Sequence, residues 1–239
     1  LLRLEHPSGY AELKNITVEN KKPFNFKADL LVKDFSLSRF FESINLNNIP
    51  AHLELNAQAQ CAGQIIDLKI NCKAVLNAQN IKINSDTKPN SSNIVSLKTI
   101  HINGDIDLND KEIKYKANGQ LVTSRFSAEG KVNFLEGYEI NAQSDYFDLS
   151  EVENLASLGL KGIASGSISS AGHSKKGTIE SDLSIKNTVI DHFYLGDVKG
   201  SLDYNDGILS LQSINGKVVD SNYNGQIQID LHRHTTKGA

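Results

Sequence analysis

Apolar and polar residues alternate with a period of two along most of this chain, and the alternation is repeatedly cut by Gly, Asn or Asp. Side chains on a strand point alternately to opposite faces, so each such run has one dry and one wet side. The clearest stretch is 195–231, where four strand-like runs follow one another. The first two meet at Asn205-Asp206-Gly207, and Asp-Gly between alternating runs is the strongest local hairpin signal. The same arrangement occurs earlier, at 100–134. Ile102-x-Gly104-x-Ile106-Asp107-Leu108-Asn109-Asp110 matches Val198-x-Gly200-x-Leu202-Asp203-Tyr204-Asn205-Asp206. Asn118-Gly119 matches Asn215-Gly216, and Lys131-Val132-Asn133-Phe134 matches Gln226-Ile227-Gln228-Ile229.

Twice the period changes. Leu37, Phe40, Phe41 and Ile44 are spaced as on one face of a short amphipathic helix capped by Ser36 or Ser38. Ser150-Glu151-Val152-Glu153 fits a capping box, and Val152, Leu155 and Ala156 give a second apolar stripe. Strands are expected after each helix, at 51–61, 66–76 and 78–84, and again at 160–170, 178–186 and 188–195. Before the first helix, the run Ala11, Leu13, Ile16, Val18 slips once, at Asn15.

The chain therefore divides into 1–34, the end of a preceding repeat; 35–146 and 147–231, two β repeats; and 232–239, a tail that loses the pattern. The first repeat is longer, with the surplus in the polar loop 85–93. The fold class expected is all-β, an antiparallel meander with one apolar face. Its dry face is assigned to Leu53, Leu55, Leu68, Ile70, Ile102, Ile106, Leu108, Phe126, Val132, Phe134, Ile179, Leu183, Ile185, Val198, Leu202, Tyr204, Ile227 and Ile229.

Composition sharpens the picture of that face. Hydrophobic residues reach 39%, but aromatics are only 7% and Met and Trp are absent, so the lining is small and aliphatic. A meander with one apolar face must cover it. Either a second sheet does so, giving a sandwich, or the sheet curves into a groove with another occupant. Cys61 and Cys72 come opposite each other if the chain turns near Ile65 and Ile66. A cross-strand disulfide is then possible, but two small buried hydrophobes are the commoner outcome and the reading adopted.

A net charge of −3 with no basic block excludes a nucleic-acid footprint. No run approaches the roughly 18 apolar residues of a membrane span. Leu1 is not an initiator and no signal peptide is visible, so a piece of a longer protein is expected.

Candidates for chemistry are thin. His232 and His234 share a strand parity but have no third ligand, and Asp105, Asp107 and Asp110 lack the glycine and glutamate of a calcium loop. No nucleophile elbow frames a serine, and Gly162 and Gly166 are not followed by a phosphate-loop lysine. Asn15-Ile16-Thr17 and Asn90-Ser91-Ser92 are formal glycosylation sequons of the kind that arise by chance. No catalysis, metal or cofactor is expected.

These residues resemble the AsmA-like superfamily of Gram-negative envelope proteins, with its AsmA, TamB and YhdP groups. The resemblance rests on Phe147-Asp148-Leu149-Ser150, on Gly162-Ile163-Ala164-Ser165-Gly166-Ser167-Ile168, and on the hairpin from Leu195-Gly196-Asp197-Val198 to Gly207-Ile208-Leu209. It covers 147–231 closely and 35–134 more loosely, where Lys111 stands in place of Gly207. The resemblance implies a periplasmic protein anchored in the inner membrane by a segment outside this chain. Its strands would form a taco-shaped apolar groove carrying phospholipid acyl chains between inner and outer membranes. The alternatives are a scaffold that receives strands during outer-membrane protein assembly, as TamB relatives imply, and a structural β-sandwich.

Overall fold

The computed structural model describes residues 1–43, 51–84, 93–155, 159–173, 176–205, 207–230 and 235–238. The chain is all-β and antiparallel, and it separates into two compact units, Leu1–Leu121 and Val122–Ala239. This boundary falls one hairpin earlier than the 146/147 division drawn from the helix-like segments.

The first unit holds β1 (Leu2–His6), β2 (Gly9–Val18), β3 (Asn25–Ser36), α1 (Leu37–Ser43), β4 (Ala51–Gln64), β5 (Lys69–Asn84), β6 (Asn93–Asn109) and β7 (Glu112–Gln120). The second holds β8 (Arg125–Asn133), β9 (Gly137–Asp148), a single 3-10 turn at Leu149–Glu151, and the short β10 (Val152–Leu155). It continues with β11 (Leu160–His173), β12 (Lys176–Ile190), β13 (Phe193–Asn205), β14 (Ile208–Val218), β15 (Ser221–Asp230) and β16 (Thr235–Gly238). In each unit the strands pair in chain order, with β9 beside β11. Each unit is thus one open meander and not a pair of stacked sheets.

Two expectations need correction. The strands predicted at 66–76 and 78–84 are one strand, β5, and those at 178–186 and 188–195 become β12 and the start of β13. At residue 77 the ladder is unbroken, Asn77 pairing with Asn56 and His101, and the bulge of β5 lies further on, at Asn80 with φ 51° and a register shift at His52/Glu54. In β12 the break is a bulge, with Asn187 at φ 53° and a register shift between Ile185 and Thr188. The slip at Asn15 has the same cause, with φ 51° and a register shift between Lys14 and Thr17. Bulges of this kind bend a strand and increase its twist.

The second helix is also absent in the form expected. Asp148, not Ser150, caps the segment: its side chain accepts from the Ser150 amide, and the turn ends at Val152. Valine's branched Cβ favours extended backbone, so the chain leaves directly as β10. The first helix is present as α1; Ile44, and the side chains of Phe40 and Phe41, lie outside the described residues.

The two hairpins flagged as equivalent form by different chemistry. Asn205 pairs with Ile208, and Gly207 takes φ 77°, the left-handed conformation such a turn requires. At 109–112 no glycine is available. There the Asn109 side-chain oxygen accepts from the Lys111 and Glu112 amides at 2.8 and 3.0 Å, an Asx turn that replaces it.

Candidate functional site

Register decides whether apolar residues on separate strands become one surface, because laterally paired residues share a face. In the first unit they do. One transverse row runs Leu13, Leu30, Ala59, Ala74, Gly104, Ala117. The rows beside it run Ala28, Cys61, Cys72, Ile106, Tyr115 and Phe26, Gly63, Ile70, Leu108, Ile113. On the other flank lie Ala11, Val32, Ala57, Leu76, Ile102, Gly119, and then Phe35, Leu55, Ala78, Ile100. No polar side chain other than the Tyr115 hydroxyl enters these rows, and burial raises the pKa of that group above the usual tyrosine range.

The opposite face is a charge ladder: Lys14, Asp29, Gln60, Lys73, Asp105, Lys116. A depression of about 760 Å³ opens on this polar side, lined among others by Gln58, Gln60, Lys73, Asn103 and Asp105. None of the residues assigned to the dry face lines it.

In the second unit the rows are Ala128, Ala142, Ile168, Ser181, Leu202, Leu211, Ile227, and Gly130, Ile140, Ser170, Ile179, Tyr204, Leu209, Ile229. A third runs Phe147, Ala164, Ile185, Val198, Gly216, Tyr223. Gly216 is required there. A Cβ on it would lie 1.9 Å from the Tyr223 ring, which crosses over it to donate a 2.7 Å hydrogen bond to the Leu195 carbonyl.

Burial shows how this face is covered. Among the described residues the buried apolar side chains are Ala28, Ala74, Ala78, Leu121 and Ala164, four of them alanines. The larger assigned residues from Leu53 to Ile229 are half-buried, while Leu68, Val132 and Phe134 are exposed. Leu68 and Phe134 sit in turns outside the strands, so they do not join the rows, and Phe126 falls at a register shift. The sequence reading placed Leu76 on the same face as Cys72 but left out Ile140, Leu209 and Leu211; their alternation was visible, but only pairing shows that they continue rows already assigned.

Cys61 and Cys72 are directly paired, half-buried, and joined in a disulfide with Cα atoms 4.1 Å apart. The expectation of two buried thiols is overturned. Antiparallel register placed both side chains on one face, and the close approach of the strands let them bond.

Among the described residues, the largest side chains buried to below two per cent exposure are those of Ser8 and Ser124. Each stands in the turn before the first long strand of its unit. The Ser8 carbonyl accepts from the Ser36 amide at 2.6 Å, and the Ser124 hydroxyl accepts from the Asp148 amide at 2.8 Å. Glu151 grips the same turn through the Thr123 amide and hydroxyl and the Ser124 amide. Desolvation opposes its charge, but these hydrogen bonds outweigh it and hold the carboxyl below the usual range.

Among the described residues no group of His, Cys, Asp or Glu could hold a metal, and no helix is long and apolar enough to cross a membrane. Asp105 and Asp107 lie on the polar face opposite Lys116 and Lys114. His232, His234 and Asn90 lie outside the described residues. Comparison with family models, with curated proteins and with solved structures finds no match to this chain.

Proposed function

We propose that this chain is a non-enzymatic part of an AsmA-like protein of the Gram-negative envelope, and that its apolar sheet face carries phospholipid acyl chains between the inner and outer membranes. The membrane anchor then lies outside this chain, and the working compartment is the periplasm. The observation that carries the reading is the set of continuous apolar rows whose large members stay half-buried, with no second sheet in either unit among the described residues. A stable sandwich would bury such residues fully.

The energetics suit hydrocarbon. Each methylene leaving water contributes about 0.8 kcal/mol, so a tail of about sixteen carbons gains on the order of 12 kcal/mol without any specific polar contact. That accounts for a face with no convergent polar constellation. The recurring bulges supply curvature, which would turn the apolar side inward.

Photocrosslinking residues at Leu183, Leu202 and Ile227, followed by mass spectrometry of chain purified from a lipid-rich host, test this. Covalent phospholipid at all three is expected, with none at Lys73 or Asp105 on the polar face. Adducts absent from the apolar face, or equal on both faces, would refute it.

A further inference from the structure

The apolar face of the second unit differs from that of the first in carrying serine hydroxyls. Ser170 and Tyr204 are the two lateral partners of Ile179, and Ser181 follows Ile179 two residues along β12, on the same face. Ser181 is 7% exposed, and among the described residues of this unit its Oγ is the one buried side-chain oxygen with no hydrogen-bond partner. Other serines of the unit are satisfied. Ser170 donates to the Tyr138 hydroxyl at 3.5 Å, and Ser165, Ser169 and Ser201 on the polar face each donate to a carbonyl across the ladder. An unpaired buried hydroxyl destabilises a fold, whereas an apolar group of the same shape is neutral or better. Alanine would fill the place as well, since Ala128 and Ala142 stand in the same transverse row.

The cover over this hydroxyl is one side chain deep. Its lateral partners are Ile168, itself 43% exposed, and Leu202; along the strand it lies between Ile179 and Leu183. Leu183 is paired on one side with Gly166 and on the other with Gly200. No lateral side chain therefore pins Leu183 in place beside Ser181. A molecule that reaches the oxygen by displacing Leu183 must be apolar over most of its length and must present an acceptor. The acceptor must also be uncharged. The transverse rows through Ser181, Ile179 and Ile185 contain no Lys, Arg or His, and a carboxylate buried there would have no counter-charge.

We infer that Ser181 is a polar anchor within the apolar face, donating to the carbonyl oxygen of a phospholipid acyl ester while the hydrocarbon lies on the rows around it. The inference rests on acyl-chain binding by this face and deepens it, because it names the group recognised: an ester carbonyl, not an ionised fatty acid.

Calorimetric titration of the full 239-residue chain with diheptanoyl phosphatidylcholine and with its diheptyl ether analogue, both below their micelle concentrations, tests this. Wild type is expected to bind the ester about fivefold more tightly than the ether, the worth of one neutral hydrogen bond. Ser181→Ala should bind both lipids as wild type binds the ether, and should unfold at the same or a higher urea concentration. Ser181→Thr, which keeps the hydroxyl, should retain the preference, and Ser201→Ala on the polar face should leave it unchanged. With isotope-labelled ester carbonyls, the infrared band should move to lower wavenumber on wild type and not on Ser181→Ala. If wild type binds neither lipid, acyl-chain carriage fails and the anchor falls with it. Carriage stands and the anchor alone is overturned by equal affinity of wild type for ester and ether, by an ester preference that survives in Ser181→Ala, or by decanoate binding that depends on Ser181.

Discussion

The two units place the same pattern on the same register but fill it with different residues. Two positions along the strand from Gly104, Ile106 faces Cys72, and Cys72 faces Cys61. Two positions from Gly200, Leu202 faces Ser181, and Ser181 faces Ile168. One slot is closed by a disulfide and the other by an isoleucine beside a small hydroxyl. The junction before the long strands varies in the same way. Leu37-Ser38-Arg39 and Leu149-Ser150-Glu151 occupy one place in the repeat. Arg39 donates to the Pro7 carbonyl at 3.4 Å, whereas Glu151 accepts from the Thr123 and Ser124 amides. Proline has no amide to offer, so the cation takes the carbonyl side of the turn. Opposite charges thus do one mechanical job. The comparison teaches that the repeat conserves spacing, face and small volume at the centre of the sheet, while the bond that secures each site is free to change.

The largest effect is expected where the second unit leaves no room. Gly216→Val should cost about 3 kcal/mol or more, because the added side chain displaces the Tyr223 ring and breaks its bond to Leu195. Urea unfolding would check this, and adding Tyr223→Ala should recover part of the loss. Next comes the disulfide slot. Replacing both Cys61 and Cys72 by Ser should cost about 1–3 kcal/mol, confined to the first unit, since the bond closes a short loop between strands already paired. In that background Ile168→Cys with Ser181→Cys should form a disulfide without reshaping the second unit. Two thiols remaining titratable after air oxidation would show that the slots are not equivalent.

Glu151→Gln should cost about 1–2 kcal/mol in the second unit, because a single acceptor and an added donor cannot hold three N–H and O–H groups. The sign of its pH dependence follows from its lowered pKa. The Glu151 contribution is complete above the ordinary carboxylate range and is lost as pH falls through the lower folded value. Acid titration of wild type against Glu151→Gln should therefore begin to converge as pH falls through the ordinary carboxylate range and meet only below the lowered folded value. The smallest effects belong to the hairpins. Lys111→Gly should change stability by no more than about 0.5 kcal/mol, while Asn109→Ala should cost about 0.5–1 kcal/mol by removing the Asx turn. Thermal unfolding of the two variants would separate them.

The alternation of residues determined much by itself. It marked strands in both repeats, the Asp206-Gly207 hairpin, the slip at Asn15 and the dry parity of Ile70, Ile106, Leu202 and Ile227, because a strand's two faces are fixed by backbone geometry alone. It could not separate a bulge from a strand end, so β12 was cut at residue 187, where a bulge interrupts the period of two as a strand end does; β5 was cut at residue 77, although Asn77 pairs in unbroken register with Asn56 and His101. It placed a helix at 150–156 from local capping signals, where Asp148 and the return to extended backbone at Val152 overruled them. Only tertiary pairing decided that Cys61 and Cys72 bond, that Ser8 and Ser124 are deeply buried, and that Leu209 and Leu211 continue rows begun on other strands. These depend on which residue lies across from which, and lateral register is set between strands that are distant along the chain.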